Sequence, residues 1–302
     1  MKNSKEMSDT IPRIIYIAGF ERSGSTILDI MVGNMNNHFS VGELSFYPVN
    51  GIVDNEFCSC GERVLDCSFW KRVTERWNRE RQLSIEQFNS THWNNFRNKR
   101  FFHLMKNLVL PDNNFKTFVA DTKLLYNIIW SENGGRVIID SSKSPYRMLL
   151  LKKAGFNPGV IHVVRKISGV LYSAQKLIKK DPTKGIEKEL GNRKPFNVII
   201  TWLVNNIFVK LFSSGLNRTV IRYENFIHSP ESELGKVAPL SEAYLSLLKN
   251  NGPFNAAHLV AGGRIRMEKE IYLQREMVTK EKWKGSGILA TIVNRLDKVQ
   301  WQ

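Results

Sequence analysis

Gly19-Phe20-Glu21-Arg22-Ser23-Gly24-Ser25-Thr26 follows a short apolar run, Ile14–Ala18, and leads into Thr26–Met35, whose pattern reads as a helix. The two glycines and the closing threonine have the spacing of G-x-x-x-x-G-K-[ST], the loop that cradles phosphates, with Ser25 in the lysine position. Backbone N–H groups at such a helix start point at an anion, the helix dipole favours negative charge, and Arg22, Ser23, Ser25 and Thr26 add side-chain donors. An anion site is expected, without the lysine that reaches the terminal phosphates in nucleotide triphosphatases. The competing reading is a Ser/Gly-rich turn that only caps a helix.

A second group lies further along. Arg165 ends the apolar run Val160–Val164, and Ser173 falls inside the next helical stretch. In a parallel sheet the C-terminal strand edge is the ligand edge, so Arg165 is expected to face the same crevice as the Gly19–Thr26 loop. Two anion sites on one crevice suit a ligand with two separated phosphate groups. Arg264 and Arg266, beside Gly262 and Gly263, could close a basic loop over it, although either alone reads equally well as a solvated surface charge.

These residues need a frame. Ile14–Ala18, Phe39–Val41, Val137–Asp140, Val160–Val164 and Thr219–Arg222 read as strands, and Thr26–Met35, Pro145–Ala154, Ser168–Lys179, Pro195–Phe212 and Ala243–Lys249 as helices. Alternation of the two predicts an α/β fold: a P-loop-like three-layer sandwich on a central parallel sheet with right-handed crossovers. Residues 51–111 are rich in Arg, Asn and aromatics, with Trp70, Val73 and Trp77 on one helical face, and read as a mostly helical insertion. Residues 1–10 are expected to be a disordered tail and 11–302 a single domain, with 255–302 a C-terminal segment covering cofactor and substrate.

The 302 residues are 42% hydrophobic and 24% charged, which excludes a stapled mini-protein and wholesale disorder. Lys and Arg number 44 against 28 Asp and Glu, and the net charge of +16 will draw a polyanion: nucleic acid, anionic lipid or a small phosphorylated ligand. Apolar runs such as Val198–Val204 fall short of the roughly 18 to 20 residues that span a bilayer, and the start of the chain has no secretory h-region. A cytoplasmic protein is expected, with the charge leaving room for peripheral contact with an anionic membrane. Cys58, Cys60 and Cys67 crowd one stretch, which argues against a disulfide framework. Three ligands with no obvious fourth make a weak zinc site, so loop thiols are the reading and no residue is assigned to a metal.

At this point the motifs resemble those of the sulfotransferases that use 3′-phosphoadenosine 5′-phosphosulfate (PAPS). Gly19–Thr26 resembles their 5′-phosphosulfate loop, and Val163-Val164-Arg165 with Gly169 and Ser173 their 3′-phosphate segment, in the family's order. The resemblance extends to Val41-Gly42-Glu43-Leu44, Asp140–Pro145, Arg222-Tyr223-Glu224-Asn225 and the His258…Gly262-Gly263…Arg266 stretch. Gly263 stands where many relatives have Asn. The Cys58-x-Cys60-Gly61…Cys67-Ser68-Phe69-Trp70 segment is similar to one in bacterial relatives of the carbohydrate and tyrosylprotein branch.

The resemblance implies in-line sulfuryl transfer from PAPS to an acceptor hydroxyl, with no metal required. Glu43 becomes the base, Arg22 and Lys143 the cations at the sulfonate and the leaving oxygen, Arg165 and Ser173 the 3′-phosphate contacts, and Tyr223 a neighbour of the adenine. Arg264 and Arg266 would assist. A saccharide or glycolipid hydroxyl is the first expectation for the acceptor, a tyrosyl or small-metabolite hydroxyl the next. Two rivals remain. A magnesium–ATP-dependent kinase or nucleotide triphosphatase would use Asp140, at the end of a strand, as its metal acid. A polyanion-binding protein would use the net charge and the basic aromatic stretch Trp93–Arg100, but no nucleic-acid module is recognisable and no nucleic acid is expected as a partner.

Overall fold

The computed structural model describes residues 11–96, 100–176, 179, 181, 193–275 and 283–301. The expected tail, 1–10, and part of the Trp93–Arg100 stretch lie outside these residues.

Strands β1 (Ile14–Gly19), β2 (His38–Gly42), β3 (Val137–Lys143), β4 (Gly159–Val164) and β5 (Arg218–Arg222) form one sheet in the order β2-β3-β1-β4-β5, all pairs parallel. β1 is central, and the chain leaves it first toward β2 and β3, later toward β4 and β5. Such a reversal opens a crevice at the C-terminal ends of the strands beside β1. The alternation of β1 shows how the layers are made: Tyr16 and Ala18 enter one core cluster and Ile17 another on the opposite face. The first cluster is covered by α2 (Ser68–Glu80), α5 (Asn113–Glu132) and α6 (Pro145–Lys153), the second by α1 (Ser25–Gly33), α9 (Tyr223–His228) and α11 (Glu242–Lys249). The three-layer α/β expectation therefore holds, with core on both faces.

The insertion is helical as expected: α2 is followed by α3 (Ile85–Phe96) and α4 (Phe101–Val109). Its entry is unusual, a 3-10 turn at Leu44–Phe46 running into a π-helical stretch at Tyr47–Val53. The long helix α5 was not anticipated from the sequence. Asp112 caps it, its side chain accepting from the Phe115 N–H at 2.7 Å, and Phe115, Phe118, Thr122, Leu125, Tyr126 and Ile129 form the buried face. Its polar residues are interspersed closely enough to blur the apolar stripe.

Two expectations are corrected here. Helix α7 (Ile167–Ala174) ends short of the expected Lys179 boundary. Helix α8 (Pro195–Phe212) joins apolar residues on both sides of Val198–Val204 into one element that is long and apolar enough, by length and composition, to cross a membrane. In this fold Val198, Ile199, Trp202, Asn206 and Val209 face inward, against α6, α7, β1 and β4, while Phe196, Ile200, Val204, Ile207 and Leu211 are exposed. Short helix α10 (Pro230–Gly235) precedes α11, and α12 (Gly287–Leu296) packs against α7 near the end of the chain.

Candidate functional site

Every strand of the sheet delivers a candidate residue at its C-terminal end. Glu43 follows β2, Lys143 closes β3, the Gly19–Thr26 loop follows β1, Arg165 follows β4, and Tyr223 follows β5. Residues scattered over about 200 positions of sequence meet along one edge because parallel strands all present the same end there.

The loop between β1 and α1 is held by close backbone approach. At Gly19 a Cβ would stand 2.3 Å from the Val163 carbonyl oxygen, so a side chain here would drive β1 away from β4. Gly24 has φ +85° and lies against the Tyr223 ring, a position that only glycine fills without strain. Ser25 starts α1, and the Leu28 N–H already bonds back to the Gly24 carbonyl. The first amides of the helix are thus aimed into the crevice. Ser23 is fully buried in the loop, and its Oγ has no hydrogen-bond partner, a donor fitted to an anion.

The loop and the segment after β4 are joined directly. Arg22 Nη1 donates to the Ser173 carbonyl at 3.0 Å and meets its Oγ at 3.4 Å, while Arg165 Nη1 donates to the Arg22 carbonyl at 2.8 Å. Gly169 makes room: a Cβ on it would stand 2.9 Å from Arg165 Nε. The Arg165 guanidinium also lies 4.3 Å from the centre of the Tyr223 ring, which ties β5 to the same corner. Burial pulls the Arg22 guanidinium below its usual range, opposed by Glu21 and reinforced by Arg193 and Arg264. Arg193 pairs with Glu21, whereas Arg264 is exposed on the 3-10 turn Arg264–Met267 near Arg22. Burial likewise pulls Arg165 down, opposed by Tyr223 and Glu224. Gathering these cations costs solvation and mutual repulsion that an anion would relieve.

Glu43 and Lys143 form an ion pair across the ends of β2 and β3. A bulge makes it possible: Tyr16 pairs with Asp140 but Ala18 with Lys143, so β3 carries an extra residue, and Lys143 adopts φ +67°. The Glu43 N–H donates to the Val260 carbonyl at 2.9 Å, and Gly42, at φ +76°, packs onto the Val260 backbone. The Gly262-Gly263 turn then crosses the loop, the Gly263 N–H donating to Thr26 Oγ1 at 3.0 Å. A Cβ on Gly262 would touch Glu43 Oε1 and Thr26 Oγ1, at 3.5 and 3.6 Å. Carboxylate and anion loop therefore border the same glycine.

Not every expected residue reaches the crevice. Arg266 is buried, and its Nη1 donates to the Phe57 carbonyl at 2.8 Å, so it braces the insertion instead of closing a loop over a ligand. Asp140, the metal acid of the kinase alternative, is wholly buried. Its Oδ2 takes Arg147 Nε at 2.9 Å and the Tyr126 hydroxyl, and its Oδ1 takes the Ser142 N–H at 2.9 Å and the Ser142 hydroxyl. Both carboxylate oxygens are committed to the fold, which removes the magnesium ligand that alternative requires. His162 is buried and bonded to Asn206 at 2.8 Å, a structural role.

Two further groups were missed by sequence reasoning. His258 stands beside the three cysteines, its Nδ1 3.3 Å from Cys67 Sγ and 3.9 Å from Cys58 Sγ. This is the fourth ligand group that the local spacing did not offer, since it lies about two hundred residues downstream. The other is Asp29, buried in α1 behind the anion loop, with Oδ2 accepting from Ser141 Oγ at 2.6 Å and Oδ1 without a partner. Burial pushes this carboxyl up to about 7, against the Ser141 and Ser40 hydrogen bonds. Between the unfolded value near 3.8 and that folded value, only the unfolded chain has lost the proton, so stability falls as pH rises and levels off above about 7. From pH 5 to pH 8 the wild type is expected to lose about 2–3 kcal/mol through this group, and Asp29→Asn to be spared that loss. Urea unfolding of both proteins at the two pH values measures it; parallel curves would return Asp29 to the ordinary range.

No family model matches this sequence, and no curated protein matches it either. Solved structures do. The sulfotransferase domain of the Synechococcus PCC 7002 olefin synthase is similar at 16% identity, over 96% of this chain and 95% of that one, with a TM-score of 0.51. The sulfotransferase domain from the curacin biosynthetic pathway is 17% identical, over 96% and 92% of the two chains, at a TM-score of 0.45. Sulfotransferase STF9 from Mycobacterium avium is 12% identical, over 82% and 69%, also at 0.45. The first of these likenesses, nearly end to end in both chains, shows the class of fold: the P-loop-like α/β fold of bacterial sulfotransferases.

Proposed function

We propose that this protein is a PAPS-dependent sulfotransferase acting on a hydroxyl acceptor. The observation that carries the reading is the placement of the Glu43–Lys143 pair beside the Gly19–Thr26 anion loop, both bordering Gly262. The amides at the start of α1, with Ser23, Ser25 and Thr26, would hold the 5′-phosphosulfate. Arg165 and Ser173 would hold the 3′-phosphate, and Tyr223 would stand near the base. The orphaned Ser23 hydroxyl and the cations crowded around Arg22 fit such a bisphosphate ligand.

In the transfer, the bond from acceptor oxygen to sulfur forms as the bond from sulfur to the bridging nucleotide oxygen breaks. Glu43 takes the acceptor's proton; Lys143 turns toward the leaving oxygen, and Arg22 offsets charge on the sulfonate. The products are the sulfated acceptor and adenosine 3′,5′-bisphosphate. The acceptor would be read by the helical insertion and the C-terminal segment. A saccharide or glycolipid hydroxyl is proposed ahead of a tyrosyl or small-metabolite one.

Thermal unfolding tests the donor half of this reading. Adenosine 3′,5′-bisphosphate at 100 times its dissociation constant is expected to stabilise the protein by about 2.7 kcal/mol without magnesium, with ADP and AMP weaker at equal concentration. A shift produced only by magnesium–ATP would sink the reading.

A further inference from the structure

Cys58, Cys60, Cys67 and His258 each offer one ligand atom, and the four atoms all lie within 4.8 Å of one another. In a tetrahedral zinc site with Zn–S of about 2.3 Å, neighbouring sulfurs stand about 3.8 Å apart and a sulfur and a nitrogen slightly closer. The 3.3 and 3.9 Å separations from Sγ to Nδ1 bracket that spacing. We propose that these four side chains form a structural zinc site that clamps the start of the helical insertion to the loop carrying Gly262 and Gly263.

Cys58, Cys67 and His258 are each held by their surroundings. Cys58 opens a tight turn in which the Gly61 N–H returns to the Cys58 carbonyl, and Gly61 takes φ +95°. Cys67 is the N-cap residue of α2, so the first turn of that helix sets where its sulfur points. His258 is fixed from two sides: its ring stacks on Phe69 at 5.4 Å, and its carbonyl accepts from Trp70 Nε1 at 2.8 Å. Ser59, between the first two cysteines, bonds to Leu259 in both directions, N–H to carbonyl at 3.1 Å and Leu259 N–H to Ser59 Oγ at 2.7 Å. Three separated stretches of chain thus converge with their donor atoms inward. Four protein ligands leave no open position, the mark of a structural and not a catalytic zinc.

The clamp explains what holds the catalytic edge. His258 is two residues from Val260, whose carbonyl receives the Glu43 N–H and whose N–H bonds to the Val41 carbonyl at 3.1 Å. On binding zinc, whichever of the three thiols are still protonated release their protons to solvent, and neutral His258 coordinates through Nδ1. Whether the site exists does not depend on the sulfuryl-transfer reading, so either can fail alone.

The test uses the full chain, purified without metal-affinity steps and kept reduced. About one zinc per chain is expected by elemental analysis, released by a thiol-directed mercurial. Substituting cobalt is expected to give a thiolate-to-cobalt charge-transfer band and tetrahedral d–d absorption. Cys67→Ser and Cys58→Ser should abolish both zinc and band, whereas His258→Cys, which restores a fourth ligand, should keep them. Should the serine variants fold poorly, the wild-type cobalt spectrum and mercurial release stand as independent readouts. Zinc-free protein that also fails to develop the cobalt band, or zinc that the serine variants retain in full, overturns the proposal.

Discussion

Glu43→Gln is expected to lower the rate of sulfuryl transfer by about 10²–10⁴-fold while leaving the affinity for adenosine 3′,5′-bisphosphate nearly unchanged. The residue is 8% exposed and its backbone N–H is fixed by Val260, so the amide fits the same space and keeps the local fold. What it loses is the capacity to take a proton from the acceptor. A loss in kcat with intact nucleotide binding is the pattern of an interaction made only in the transition state. The competing role for Glu43 is to neutralise Lys143. A purely structural partner would show itself differently: the variant would unfold at lower denaturant, and turnover per folded molecule would stay at the wild-type level. Steady-state release of the bisphosphate from PAPS with hydroxyl acceptors, read together with urea unfolding, separates the two, and unchanged turnover removes Glu43 from catalysis.

The second large effect concerns stability. Arg147→Met is expected to destabilise the fold by about 3–5 kcal/mol, because it leaves the Asp140 carboxylate buried without its cation. Arg147 is 5% exposed and Asp140 not at all, and the Arg147 Nε and Nη2 also donate to the Tyr126 hydroxyl, at 3.3 and 3.1 Å. The cluster joins β3, α5 and α6 under the edge that carries Lys143. Adding Asp140→Asn should return a large part of the loss, since the penalty comes from the unpaired charge more than from the missing contact. Equilibrium unfolding of the two single variants and the double variant measures this coupling. If Arg147→Met alone cost under about 1 kcal/mol, water would have to reach Asp140, and its availability to a cation would need to be reopened.

Much of the crevice was legible because its signals are local. The strand–loop–helix run at Gly19–Thr26 states its own geometry, since glycine spacing, the apolar run before it and the helical pattern after it agree. Arg165 was legible for the same reason, as the first residue beyond a Val- and Ile-rich strand. Basicity alone does not show which way Arg266 points; on a short 3-10 turn two residues change the face, and Arg264 is exposed while Arg266 is buried. Asp140 was ambiguous in a similar way: an acid at a strand end suits a metal or an internal ion pair equally, and only the approach of Arg147 from α6 decides between them. Helix α5 escaped notice because its polar residues alternate too closely with its apolar stripe.

The α/β order of elements, the strand–loop–helix turn at Gly19–Thr26 and the residue types at the strand ends are readable along the chain, because they follow from patterns that repeat over a few residues. The tertiary structure decided which distant residues meet. The parallel order β2-β3-β1-β4-β5 sets Glu43 next to Lys143 across one hundred positions, and the chain's return at Val260 sets His258 among three cysteines. Contacts of that span depend on how layers pack and in which direction each strand runs, and spacing along the chain holds no record of either.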